Sequence, residues 1–365
     1  MRRFDPSTYN QVSGEPAHVI LVYPSMNHQT PLDALWRTRL DAIVEVWAEM
    51  RGGDAKALHR VRVASRRIRE SLPVIAADVD RTKLRKLSRK VREVTRLLGP
   101  VRALDVELGE LAEIKRAMPS HRAAITLVGR HLAASRRALR KRTMGRVDEI
   151  DVKKLVRKLA RVGAKRDSHS GRSVQSATAW RSVLGARTVR RAARLREAIE
   201  QAGSLYVPGR LHAVRIAIKK LRYILEVAEE AGIRRVSELI QALKDVQGTL
   251  GRLHDLQSLL EHGRNVHASI GTKRGRADLD GLVQSLERRC RRLHAEFVIR
   301  HEDLLSVCDR ARNEVARQIL PGRPRAVRVT AARSRQRAPA VVGQVAWAFR
   351  ETHAAAAARS GGRHG

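Results

Sequence analysis

Twelve residues beginning at Leu58, LHRVRVASRRIR, return in type and spacing as LHAVRIAIKKLR beginning at Leu211. Each copy opens on a leucine–histidine pair, and basic residues follow the histidine at three, seven, eight and ten positions. So close a recurrence marks an internal duplication, two copies of one structural unit about half a chain apart. On a helix, with about 100° between successive residues, His59, Arg62, Arg66 and Arg69 fall within an arc of roughly 80°, as do His212, Arg215, Lys219 and Arg222. Each copy therefore carries a cationic stripe.

The stripe lies beside the apolar face and not opposite it. Leu58, Val61, Ser65, Ile68 and Leu72 form that face in the first copy, and Leu211, Val214, Ile218, Leu221 and Leu225 form it in the second. Cations at the edge of a core lose hydration unless an anion joins them, so the arrangement points to a groove or pore for a polyanion. A rise of about 1.5 Å per residue puts the charges roughly every 5 Å along the axis, a ladder suited to a repeating anion.

The 365 residues carry a formal net charge of +37, which calls for an anionic partner: nucleic acid, an anionic membrane surface or inorganic polyphosphate. Aromatic residues make up only 3%, too few for stacking platforms under single-stranded bases. Cys290 and Cys308 have no CxxC spacing and no histidine cluster, so neither a disulfide framework nor a metal site is expected, in keeping with a reducing cytoplasm. No apolar run is long enough for a signal core or a membrane span, HVILVY at His18 included, and a soluble protein without membrane insertion is expected.

Apolar spacing predicts an all-α chain. Residues 1–30 read as a loose segment; 31–320 as the folded region, with a first half 31–162, a linker 163–172 around GAKRDSHSGRS and a second half 173–320; and 321–365 as a basic disordered tail. Pro73 is expected to bend the last third of the first repeated helix. A helix from Arg81 is expected to stop at Gly99 and Pro100, and its counterpart to close with LGRLHDL at Leu250.

Those two closing segments form a second repeat. VREVTRLLGPVRALD aligns with LKDVQGTLGRLHDLQ when Gly99 is set on Gly251, pairing Arg92 with Lys244 and Arg102 with His254. An LHxxRxxxRRLR helix followed by an LGxxRD-type turn, present twice, resembles the conserved histidine α-helical domain, or CHAD, family. The resemblance implies two tandem four-helix bundles related by a pseudo-twofold axis, with a basic central groove or pore that binds inorganic polyphosphate. It implies as ligands His59, Arg62, Arg66, Arg67, Arg69, Arg92 and Arg102 in the first half, and His212, Arg215, Lys219, Lys220, Arg222, Lys244, Arg252 and His254 in the second. It further implies a cytoplasmic location at polyphosphate granules and possible granule-associated protein partners. The family's aspartate after the turn's basic residue is present as Asp255 but replaced by Ala103 in the first half, where Asp105 is the nearest substitute.

No catalytic residue, cofactor or metal is expected. EIDVK at Glu149 meets the ExExK spacing of a triphosphate-tunnel hydrolase, but in a helical, Arg-rich context it reads as a solvated charge run. His59 and His212 have no carboxylate at a fixed spacing to orient them, which favours anion contact or helix positioning over general-base work. The alternative to polyphosphate is a non-sequence-specific nucleic-acid-binding or architectural protein that uses its basic helices for phosphate contacts.

Overall fold

The duplication in sequence becomes a duplication in packing. A computed structural model describes the backbone of residues 31–170, 174–269 and 272–319, and side chains within those ranges outside 164–178; the segments 1–30 and 321–365 lie outside the described residues. The described residues form α1 (Pro31–Arg51), α2 (Ala55–Ile75), α3 (Arg81–Leu97), α4 (Gly99–Ala117), α5 (Arg122–Asp148) and α6 (Val152–Ser170), then α7 (Val174–Ala202), α8 (Pro208–Glu230), α9 (Ser237–Ser269), α10 (Lys273–Ile299) and α11 (His301–Ile319). A single 3-10 turn, Pro119–His121, precedes α5, and no strand occurs among the described residues.

Within the first half α1 packs on α2, α2 on α3, α4 on α5 and α1 on α6; within the second, α7 packs on α8, α8 on α9, α9 on α10 and α7 on α11. With α3 and α4 counted as one interrupted rod, the described residues of each half give five rods, one more than a four-helix bundle holds. The halves meet where α2 crosses α8, α4 crosses α9 and α5 crosses α10. Leu58, Ile68 and Leu72 of α2 and Val214, Ile218 and Leu221 of α8 are fully buried, so the apolar faces read from the repeat are the ones that seat these helices. Trp36 of α1, also fully buried, donates its indole N–H to the carbonyl of Leu159 in α6 over 3.2 Å.

Local chemistry sets the helix starts. Asp54 caps α2 by accepting from the amide of Lys56 at 2.7 Å, and Asp80 caps α3 by accepting from Thr82 and Lys83, each at 3.0 Å. Pro208 opens α8 at the first turn, where a missing N–H costs nothing. Asp151 accepts from the Lys154 amide at 2.7 Å at the start of α6, so the carboxylate of the EIDVK run serves as a helix cap.

Two expectations need correction. α6 continues through Ser170, over most of the segment read as a linker; Gly163 and the serines lower helix propensity by no more than about 1 kcal/mol each, which an already nucleated helix tolerates. α2 itself spans Ala55–Ile75 with Pro73 inside its last third, where the repeat placed it. LGRLHDL does not close its helix: α9 runs unbroken to Ser269. The difference from the first half is one residue, because Pro100, which cannot continue the hydrogen-bond ladder, forces a new start at Gly99, whereas its counterpart Arg252 does not.

Gly251 thus occupies a helix interior, and a methyl group there would meet no atom within 4 Å. Gly251→Ala is expected to raise unfolding stability by about 0.5–1 kcal/mol, read as a higher urea midpoint at unchanged slope.

Candidate site: a cation cluster between the halves

The crossing of α2 on α8 sets the two stripes against each other. Arg66 of α2 lies within electrostatic reach of Arg215 and Lys219 of α8, and Arg62 reaches Lys219. Arg102 of α4 acts on both His59 and Arg62, and Asp255 of α9 acts on Arg215 and Lys219. The rings of His212 and His254 lie against each other, centroids 4.8 Å apart and tilted by 48°. Eight sequence-predicted ligands, His59, Arg62, Arg66 and Arg102 from the first half with His212, Arg215, Lys219 and His254 from the second, therefore belong to one cluster.

The electrostatics of this cluster are those of crowded, partly desolvated cations. Burial, then Arg215 and Arg66, push the Lys219 ammonium down to about 7. Burial, then Arg66 and Arg102, bring Arg62 down to about 10. His254 falls to about 4 through burial and the charges of Arg215, His212 and Lys219. Burial is the leading cause for His59 and His212 as well, with neighbouring cations adding to it, and both imidazoles are shifted toward their neutral form. Asp255, the carboxylate that faces these cations, is itself pushed up by burial against the pull of Arg215, Lys219 and Arg102.

Backbone placement fixes the arginine side chains. Arg62 Nη1 donates to the carbonyl of Thr95 over 3.0 Å, and Ser65 Oγ and Thr95 Oγ1 share a hydrogen bond of 2.8 Å that ties α2 to α3. Gly99 makes this possible: a Cβ at that position would lie 2.9 Å from Arg62 Nη1, inside contact distance. Arg215 Nε is buried with no hydrogen-bond partner. Cavities open beside the histidines, one of about 750 Å³ lined by His59, Arg39 and Arg67 and another of about 520 Å³ lined by His212 and His254.

A second group of cations adjoins the first. Arg69 lies near Arg66, Arg92 and Arg191, and Lys220 near Arg191, Arg194 and Arg69. At its centre Glu70, with a side chain only 4% exposed, accepts from Arg187 at 3.0 Å and Arg191 at 3.3 Å and pairs with Arg69 at 3.7 Å.

Four predicted residues are not brought to either group. Arg67 points toward α1 and α8, pairs with Glu226 at 4.0 Å, and its carbonyl accepts from Arg39. Arg222 is held by Glu226 at 2.7 Å and Gln247 at 3.1 Å. Arg252 lines a separate cavity of about 190 Å³ with Glu110, Arg289 and Arg292. Lys244 is exposed, about 15 Å along the α9 axis from His254. Asp105 does not stand in for the missing aspartate, because it accepts from Arg136 of α5 at 2.5 Å.

A family model for the CHAD domain matches residues 34–264, which takes in both copies of the basic helix and both copies of the turn. The chain belongs to the CHAD family. Among solved structures, PptA from Streptomyces chartreusis is 15% identical with a TM-score of 0.51, covering 79% of this chain and 98% of that one. The CHAD domain from the plant Ricinus communis is 20% identical with a TM-score of 0.45, covering 78% of this chain and 90% of that one. No curated protein sequence matches significantly. In this CHAD domain the α7 arginines escaped the sequence reading because they lie outside the repeat, yet Arg187, Arg191 and Arg194 share an arc of roughly 60° directly beside buried Leu184, Ala192 and Leu195. That is the same stripe-beside-core signature that singled out α2 and α8.

Lys219 makes the empty cluster pH-sensitive. Its folded-state value near 7 lies below the ordinary 10.5, so between those limits the unfolded chain binds more protons and stability rises with pH. Urea unfolding of the ligand-free protein is expected to show a gain in stability from pH 7 to pH 9.5 that is smaller in Lys219→Met; equal gains would place the lysine in water.

Proposed function

We propose that the cluster binds inorganic polyphosphate, the linear chain bridging cations from both halves. The observation that carries this reading is the meeting of Arg62, Arg66 and Arg102 with Arg215 and Lys219 around one carboxylate, Asp255. Partly desolvated arginines cannot shed their charge, so a ligand with one negative charge per repeat relieves their repulsion along its length. A duplex is less suited, because the cations lie between packed helices where a thin, flexible chain enters more readily than a rod. Binding, not catalysis, is the role proposed: the groups that perturb His59 are burial and three arginines, with no carboxylate to hold the imidazole as a base. We place the protein at polyphosphate granules. Among the described residues no helix is long and apolar enough to cross a membrane.

Competition between long-chain polyphosphate and duplex DNA at several salt concentrations tests the ligand class. Polyphosphate is expected to win at every salt concentration, with affinity falling steeply as salt rises. Replacing Arg62, Arg66, Arg215 and Lys219 together by Glu is expected to abolish binding. Arg67→Glu or Arg252→Glu, outside the cluster, is expected to change affinity by less than about threefold. Preference for DNA, or a larger loss from Arg252→Glu than from the quadruple variant, would overturn the proposal.

A further inference from the structure

The repeat-related outer faces of the two halves differ in charge. On the α1–α2 side the cations are matched: Arg39 pairs with Glu230 at 3.1 Å, Arg67 with Glu226 at 4.0 Å, and Arg60 with Glu49. On the α7–α8 side they are not. Arg69, Arg187, Arg191 and Lys220 surround one buried carboxylate, Glu70, while Arg92 adds its charge beside Arg69, Arg194 beside Lys220 and Arg190 beside Arg187. Glu197 is the acidic residue that lines the adjoining cavity of about 380 Å³, between Arg191, Arg194 and Lys220.

Glu70 does more than offset charge. By taking guanidinium groups from α2 and α7 on one carboxylate, it holds Arg69, Arg187 and Arg191 as a fixed array instead of three independently moving side chains. Exposure grades outward around α7: Arg187 and Arg191 are half-buried, Arg190 and Arg194 exposed. The array is continuous with the central cluster, because Arg66 lies within electrostatic reach of Arg69. A chain leaving the crossing of α2 and α8 by way of Arg66 meets Arg69 about one helical turn further on, and then α7.

We propose that α7 is a second binding segment for the same ligand: the part of a long polyphosphate that overhangs the central cluster lies along Arg191, Arg194 and Arg190, with Lys220 opposite, and gives the protein its preference for long chains. This rests on the polyphosphate reading of the central cluster and adds to it a residue set and a chain-length selectivity. Short chains fill the centre alone; long chains engage both segments, the second from a high effective concentration.

The test compares tripolyphosphate with long-chain polyphosphate on the full-length protein carrying Arg190→Glu with Arg194→Glu. Both residues are exposed and outside the Glu70 clamp, and the milder Arg190→Gln with Arg194→Gln serves as a second variant. Long-chain affinity is expected to fall about tenfold or more at low salt, with the salt slope reduced by about one to two, while tripolyphosphate binding is unchanged. Reversing two exposed cations of α5, Lys141→Glu with Arg142→Glu, is expected to do much less. Equal losses for both ligands, or losses no greater than those of the α5 variant, overturn the α7 segment while leaving the central site standing. Wild-type protein that binds neither ligand overturns both.

Discussion

Two rows of like charge face each other where α2 crosses α8, and the rest of the molecule is arranged around that repulsion. The apolar faces bring the rows together: Leu58, Ile68 and Leu72 on one helix and Val214, Ile218 and Leu221 on the other have no exposed surface to spare. Burying such side chains contributes about 1.5–3 kcal/mol each, enough to hold cations closer than they would settle in water. Ion pairs on the flanks act in the same direction. Arg187 and Arg191 of α7 reach across to Glu70 of α2, while Arg39 of α1 reaches across to Glu230 of α8. Each half thus lends arginines to a carboxylate of the other, and the strained centre is clamped from both sides.

The duplication is imperfect in ways that bear on the site. Pro100 breaks the first-half rod into α3 and α4, placing Gly99 where Arg62 can lie against the backbone, while the second half has an unbroken α9. The aspartate survives in one half, so Asp255 tempers Arg215 and Lys219 while nothing equivalent occupies Ala103. The cluster consequently draws on both halves yet has an asymmetric charge distribution.

The helices, their buried faces and eight residues of the central cluster were legible because each depends on local spacing: a 3.6-residue period, a stripe and a motif that repeats. What was hidden depends on partners far along the chain. Arg67 and Arg222 carry the same motif positions as Lys220 and Arg69 of the adjoining group, but Glu226 captures both, and nothing near Arg67 in sequence announces a glutamate from the other half. Arg252 directly follows Gly251, yet on a continuous helix it lines a cavity with Glu110, Arg289 and Arg292. The α7 array was missed for the opposite reason: its signal is present in sequence, but it is not repeated in α1, where Arg39 is matched by an acid.

Buried ionisable groups are handled in two distinct ways along the seam between the halves. At the crossing of α4 on α9, Glu107 lies 3.3 Å from His262; burial pushes the carboxyl up to about 7 and the imidazole below its usual range. Both shifts favour the neutral forms, so this part of the seam can give up its charge near neutral pH and pack as a polar but uncharged contact. The crossing of α2 on α8 has no such recourse, because guanidinium groups keep their protons throughout the accessible range, and even the lowered Arg62 stays charged. Lys219 and the histidines can adjust to an empty site; the arginines cannot. The uncompensated charge of the crossing is therefore set by Arg62, Arg66, Arg102 and Arg215, and the titratable members of the cluster decide only how much is added to it.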